Sequence, residues 1–205
     1  EPTYLKFGDP GEEEYLFDGD LFPQNLDLVR RHLEEHPDQP LFNYMLTIYG
    51  HTPHNLNEDK RPILIKSESN NPDDQIERVV NQFYYRTQAI ARYVKELIAL
   101  DPNSLIVLVS DHVPPLQFGP ITYKALAYMD NREGYYFYNR LAIIEQGKPV
   151  TYDPMRHFDL PKLIMNNLTQ GHYCATGDCE YLVKTKPALD TYFDKYLALM
   201  AHASE

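Results

Sequence analysis

From residue 72 to residue 109 two hydrophobic periods follow one another with almost nothing between them. Ile76, Val79, Val80, Phe83, Ile90, Val94, Leu97 and Ile98 recur at the i, i+3, i+4, i+7 spacing of one helical face. "DPNS" ends that pattern, and "LIVLV", Leu105–Val109, begins at once. A short aliphatic run of this kind suits a strand covered on both faces. Upstream, "LFNYMLTIYG", residues 41–50, is rich in aromatic and branched side chains and predicts a second strand. Strand, long helix, strand is the crossover unit that forces parallel pairing. The fold class expected is therefore α/β, a mostly parallel sheet with helices on both faces, in a single α/β domain spanning residues 1–205.

The remaining segments fit around that unit. The N-terminal stretch is acidic and irregular up to "FDGDLF", where Asp20 is placed to cap a helix and Pro23 to sit in its first turn. Leu26, Val29 and Leu33 keep helical spacing until "EEHPDQP". Residues 57–71 are polar and predict a loop. "RLAIIE" predicts a strand, "QGKP" its turn, and "HFDLPKLIMNNL" and "PALDTYFDKYLALM" two further helices. No internal repeat, low-complexity tract or domain boundary stands out. The formal net charge of −11, with Lys and Arg nowhere clustered, argues against a nucleic-acid surface and is compatible with a bound cation. No apolar run approaches the roughly 18 residues of a membrane helix. "EPTYLKFGDP" lacks the charged-then-apolar order of a signal peptide.

Chemistry is expected where predicted strands end, because loops there are held by a rigid scaffold. "LIVLV" runs straight into Ser110, Asp111 and His112. A carboxylate beside an imidazole can serve a divalent ion that accepts both oxygen and nitrogen, or can simply be a solvated turn. "TIYGHTPHNL" places His51 and His54 after the other predicted strand. There His51 could hold a substrate oxyanion, protonate a leaving group or bind a metal, and the plain alternative is that both histidines satisfy a loop shaped by Pro53. His157 and Asp159 open a predicted helix and suit capping better than catalysis. Asn167-Leu168-Thr169 matches a glycosylation acceptor, but within a predicted helix. Cys174 and Cys179 are the two cysteines, separated by Ala-Thr-Gly-Asp. A disulfide across that turn implies an oxidising compartment, against reduced thiols or half of a zinc site as alternatives. Phosphate-binding glycine loops, a Gly-x-Ser-x-Gly elbow and a Cys-x-Pro-x-Arg nucleophile are not found in the sequence.

Taken in order, "FDGDLF", "FNYMLTIYGHTPH", "LIVLVSDHVPP" and "HFDLPKLIMNNL" resemble motifs in the C-terminal half of the alkaline phosphatase and sulfatase superfamily, most closely its lipoteichoic acid synthase branch. The resemblance covers Phe17 to about Leu168. It implies an α/β sandwich incomplete at its N-terminal side, with Asp111 and His112 as metal ligands and His51, with His54, at the substrate's phosphate or sulfate group. It implies a divalent metal, Mn or Zn with Mg or Ca as alternatives, and transfer through an ester on a threonine or serine nucleophile. That nucleophile lies in the half of the family pattern to which nothing here corresponds, so the chain alone is expected to be inactive.

The function expected of the parent protein is extracytoplasmic transfer of a phosphoglycerol or phosphoethanolamine group, or hydrolysis of a sulfate or phosphate ester. Its partner would be an ester on a lipid head group or glycan, and its setting the periplasmic or outer face of a bacterial inner membrane through an anchored parent. Self-association through an exposed sheet edge is also expected. The alternative from another class is a non-catalytic binding or structural domain that keeps the fold without a nucleophile.

Overall fold

The computed structural model describes residues 13–66, 74–131, 133–134, 138–176 and 179, and the helix expected around "PALDTYFDKYLALM" lies outside them. The chain divides into two compact units, Glu1–Val150 and Thr151–Glu205. The first holds α1 (Asp18–Glu35), α2 (Asp74–Leu100), β1 (Leu105–Val109), α3 (Gly119–Ala125), β2 (Leu141–Glu145) and β3 (Lys148–Val150). Helix and sheet are mixed, as the periodicities predict. Among the described residues no helix is long and apolar enough to cross a membrane.

Helix α1 starts three residues earlier than expected. Phe17 occupies its cap position without a side-chain cap bond, so Asp18 and Asp20 fall in the first turn, where negative charge favours the helix's positive end. Pro23 lies within the helix rather than at its start. Gly19 is required by packing, since a Cβ there would stand 2.3 Å from the Phe17 ring. Phe22, Leu26 and Val29 form the buried stripe. Phe22 stacks on Tyr93 of α2 with ring centroids 4.5 Å apart, and Met45, Ala89, Ile90, Leu97 and Leu100 close around them. Truncating a ring in such a cluster costs about 3–5 kcal/mol.

The sheet has the order β1-β2-β3, and both pairings are antiparallel. Ile106 faces Ile144 and Val107 faces Ile143, while β2 and β3 form a hairpin. Its turn residues Gln146 and Gly147 both have positive φ, which matches the twist of a two-residue hairpin loop. The parallel partner expected for β1, residues 41–50, forms no ladder among the described residues. The segment still alternates like a strand. Met45, Thr47 and Tyr49 turn inward, whereas Phe42, Tyr44, Leu46 and Ile48 are 82%, 76%, 73% and 49% exposed.

In the second unit a single turn of 3-10 helix, His157–Asp159, leads into α4 (Leu160–Leu168), followed by α5 (His172–Thr176). Proline is tolerated at the start of α4 because the first-turn N–H groups have no helical partner. Leu163 is buried beneath it. Asp159 stands at the cap position of α4, is buried, and makes no side-chain cap bond. Cys174 and Cys179 are joined by a disulfide with Cα atoms 5.3 Å apart.

Candidate functional site

The antiparallel ladder runs one rung past β1 and stops at the Asp-His pair. The Ser110 N–H donates to the Arg140 carbonyl at 3.1 Å, and the Arg140 N–H donates to Ser110 Oγ at 3.0 Å. The Asn139 side-chain amide then donates to the Asp111 carbonyl. Asp111 and His112 therefore leave the sheet at a fixed point, with side chains 77% and 54% exposed. Asp111 Oδ1 accepts the His112 N–H at 2.8 Å, and Oδ2 stands 3.3 Å from His112 Nε2. Partial burial pushes the Asp111 carboxyl up, but hydrogen bonds from backbone N–H groups and the charges of His112 and Arg86 outweigh it, so the net shift is downward. Asp111 stays an anion.

A second wall comes from the loop that follows the extended segment. His51 Nδ1 lies 2.9 Å from the Thr52 carbonyl, and His112 Nδ1 lies 2.8 Å from the Val113 carbonyl. A carbonyl only accepts, so each Nδ1 carries a proton. In the neutral ring His51 Nε2 then holds the lone pair, the tautomer a metal or an acidic proton requires, whereas His112 Nε2 faces an acceptor, Asp111 Oδ2, at 3.3 Å. Tyr15 braces His51 edge-on at 5.9 Å and donates its hydroxyl to the Thr52 carbonyl.

His54 is placed differently. It is wholly buried, with Nδ1 3.3 Å from Gln82 Oε1 and Nε2 3.4 Å from the Pro115 carbonyl. Whichever nitrogen carries the proton, the ring ties the His51 loop to α2 or to the loop after Asp-His. Buried between them, it packs the His51 loop against both.

Helix α2 supplies the floor. A cavity of about 200 Å³ is bounded by Thr47, Gly50, His51, Arg86, Asp111 and His112, with Phe83 and Pro115 as apolar lining. Arg86 Nε donates to Asp18 Oδ2 at 2.8 Å, and Nη2 donates to Thr47 Oγ1 at 2.5 Å. Asp18 has no exposed surface. Burial pushes its carboxyl up to about 6, against the pull of the Arg86 charge and hydrogen bond and of Thr47.

Sequence reasoning found His51, Asp111 and His112, and these share the cavity. It missed Arg86, Thr47 and Asp18. A signal for Arg86 existed. The residue falls three after Phe83 and four before Ile90, on the stripe that otherwise reads as buried, and a guanidinium on such a face needs a partner or a purpose.

The donor chemistry suits a divalent ion at Asp111 and His112, but among the described residues no group of three or more His, Cys, Asp or Glu side chains is placed to hold one. Catalytic zinc sites use at least three protein ligands. Among the described residues, Asp111 and His112 make two donors where such a site needs three.

Comparison with known proteins agrees with this geometry at the level of family. No curated protein and no solved structure gives a significant match. The family model described as Sulfatase matches residues 1–169, a span that contains every residue lining the cavity. The chain belongs to the sulfatase family.

Proposed function

We propose that this chain is the C-terminal part of the catalytic region of a metal-dependent, extracytoplasmic enzyme that moves a phosphoglycerol or phosphoethanolamine group, or hydrolyses a sulfate or phosphate ester. The observation that carries the reading is the pair of imidazoles, His51 and His112, each with Nδ1 committed to a backbone carbonyl, lining one cavity with Asp111. Asp111 and His112 would hold the ion, with Mn or Zn favoured by mixed oxygen and nitrogen donors. A bound divalent ion would supply charge neutralisation on the transferring group and a lowered pKa for the attacking hydroxyl. His51, fixed by Thr52 and Tyr15, would orient an ester oxygen or give a proton to the leaving group.

The nucleophile comes from elsewhere in this reading. Of the hydroxyl-bearing residues lining the cavity, Tyr49 donates to the buried Glu13 and Thr47 accepts from Arg86. The extended segment supports an added strand that brings it. Its main chain from residue 41 to residue 47 has no hydrogen-bond partner among the described residues, and its outer face is apolar. A second copy pairing at this edge is the competing occupant, and a charge of −11 on each chain opposes it. The disulfide supports an oxidising compartment. Esters on lipid head groups or glycans are the substrates that such a setting offers.

The test is a titration of the full-length protein with Mn²⁺ and with Zn²⁺, followed by isothermal calorimetry. Asp111→Asn and His112→Ala should each weaken binding by about ten- to a hundredfold while leaving the fold intact. Equal affinity in wild type and Asp111→Asn would remove the ligand assignment. Tight metal binding with no turnover of any phosphate or sulfate ester would favour the non-catalytic binding domain.

A further inference from the structure

Arg86 is the cationic side chain bounding the cavity, and its surroundings are unusually complete. Asp18 lies beneath it with no exposed surface and accepts from Nε through Oδ2, while Thr47 Oγ1 accepts from Nη2. A guanidinium has five N–H groups in a fixed fork. Two are used, and Nη1 makes no hydrogen bond among the described residues. Gly50 leaves the space beside that nitrogen without a side chain. A Cβ at Gly50 would stand 3.5 Å from Nη1, and its φ of +96° is one that side-chain-bearing residues rarely adopt. The Asp18 and Thr47 contacts orient the fork, so little rotamer freedom remains to be lost when a ligand arrives.

We propose that Arg86, aimed by Asp18 and Thr47 past Gly50, is an anion-binding residue of this cavity that takes an oxygen of a tetrahedral oxyanion, the phosphate or sulfate group of the ester. This deepens the functional reading above and rests on it for the identity of the ester. The cavity, at about 200 Å³, is smaller than the 300–1,000 Å³ typical of drug-sized ligands and admits a small anionic group with its waters. Asp18 touches no solvent and acts through Arg86, so it is a positioning residue. The exposed carboxylate at the rim, Asp111, would repel an anion unless a cation or a proton met it. Arg86 and Asp111 thus divide the cavity into an anion side and a cation side.

The experiment uses the full-length protein stripped of metal with EDTA, titrated with inorganic phosphate and separately with sulfate, then again after adding Mn²⁺. Wild type should bind the oxyanion in both states. Arg86→Gln should weaken binding by about ten- to a hundredfold, the range expected for losing a charge-assisted hydrogen bond. Arg86→Lys keeps the charge but loses the fork, and should lie between the two. Asp18→Asn should weaken binding less than Arg86→Gln. Mn²⁺ affinity should not fall below the wild-type level in Arg86→Gln, since a cation near Asp111 is removed, whereas a misfolded variant would lose it. If Arg86→Gln does not fold, Arg86→Lys carries the comparison alone. Phosphate tighter than sulfate assigns a phosphate ester, and the reverse a sulfate ester. Wild-type oxyanion affinity in both Arg86 variants overturns the proposal, as does metal binding without any oxyanion binding. Arg86-dependent oxyanion binding without metal binding would uphold the anion site and overturn the metal reading instead.

Discussion

Residues 41–48 and 49–66 are consecutive, yet they meet the rest of the molecule in opposite ways. The later stretch has no regular secondary structure, but buried polar side chains anchor it throughout. Glu13 forms a buried ion pair with Arg61, accepts from the Tyr49 hydroxyl at 2.9 Å and from the Asn57 N–H at 3.0 Å. The Arg61 guanidinium also lies over the Phe17 ring at 4.2 Å. Asn81 of α2 accepts from the Leu64 and Ile65 N–H groups at 2.8 and 3.0 Å and donates to the Ile65 carbonyl at 2.8 Å. Gln82 donates to the Asn55 carbonyl at 2.6 Å. The earlier stretch is the reverse: extended, alternating, apolar on its outer face, and from residue 41 to residue 47 without a main-chain hydrogen-bond partner among the described residues. One loop is tied down without a sheet, and one strand-like segment has no sheet partner among the described residues. The cavity sits where the two meet, with Leu46 and Thr47 on one side and Gly50 and His51 on the other.

That contrast is open to direct attack. The largest effect should come from Arg61→Ala, which strands Glu13 as a buried carboxylate; denaturant unfolding should show a loss of about 3–5 kcal/mol. Asn81→Ala removes the acceptor of two backbone N–H groups, and the same measurement should show about 2 kcal/mol. Leu46→Ser, on the unpaired segment, should change unfolding of this chain by less than about 0.5 kcal/mol. Its effect should instead fall on turnover by the full-length protein, where an added strand and its covering layer would meet that face. A Leu46→Ser loss as large as that of Asn81→Ala would mean that the face is already packed.

A further test lies in pH dependence. Asp18 has a folded-state pKa of about 6, above its ordinary value of 3.8. A raised carboxyl favours folding while protonated, so its contribution is fully present below 3.8 and is lost as pH rises through about 6. The stability of wild type relative to Asp18→Asn should therefore fall between those two values and level off above them. A difference that grows over that range would reverse the assignment of Asp18 as a buried, desolvated carboxyl.

The helices were legible because their information is local: the 3.6-residue stripe of α2 and the aliphatic run of β1 specify element and place together. Pairing was not. β1 finds its partner in β2, a segment some thirty-five residues onward, and nothing in "LIVLV" distinguishes an antiparallel neighbour from a parallel one. Asp111, His112 and His51 were legible because each follows an apolar run at which chain direction changes. Arg86 was legible only as a cation on a buried stripe and Asp18 not at all, since the meaning of both lies in one contact between α1 and α2. His54 looked equivalent to His51 in sequence; burial between Gln82 and Pro115 makes it a fastener. Glu13, in an acidic run that reads as solvated, is 5% exposed because Arg61 and Tyr49 fold over it.

The central claim is that Asp111 and His112 belong to a metal site completed beyond these residues. Elemental analysis of the protein purified from its native host, beside its Asp111→Asn variant, tests it most directly. The account predicts stoichiometric Mn or Zn in the wild type and its loss in the variant. A metal-free wild type, or equal metal in both, would contradict it.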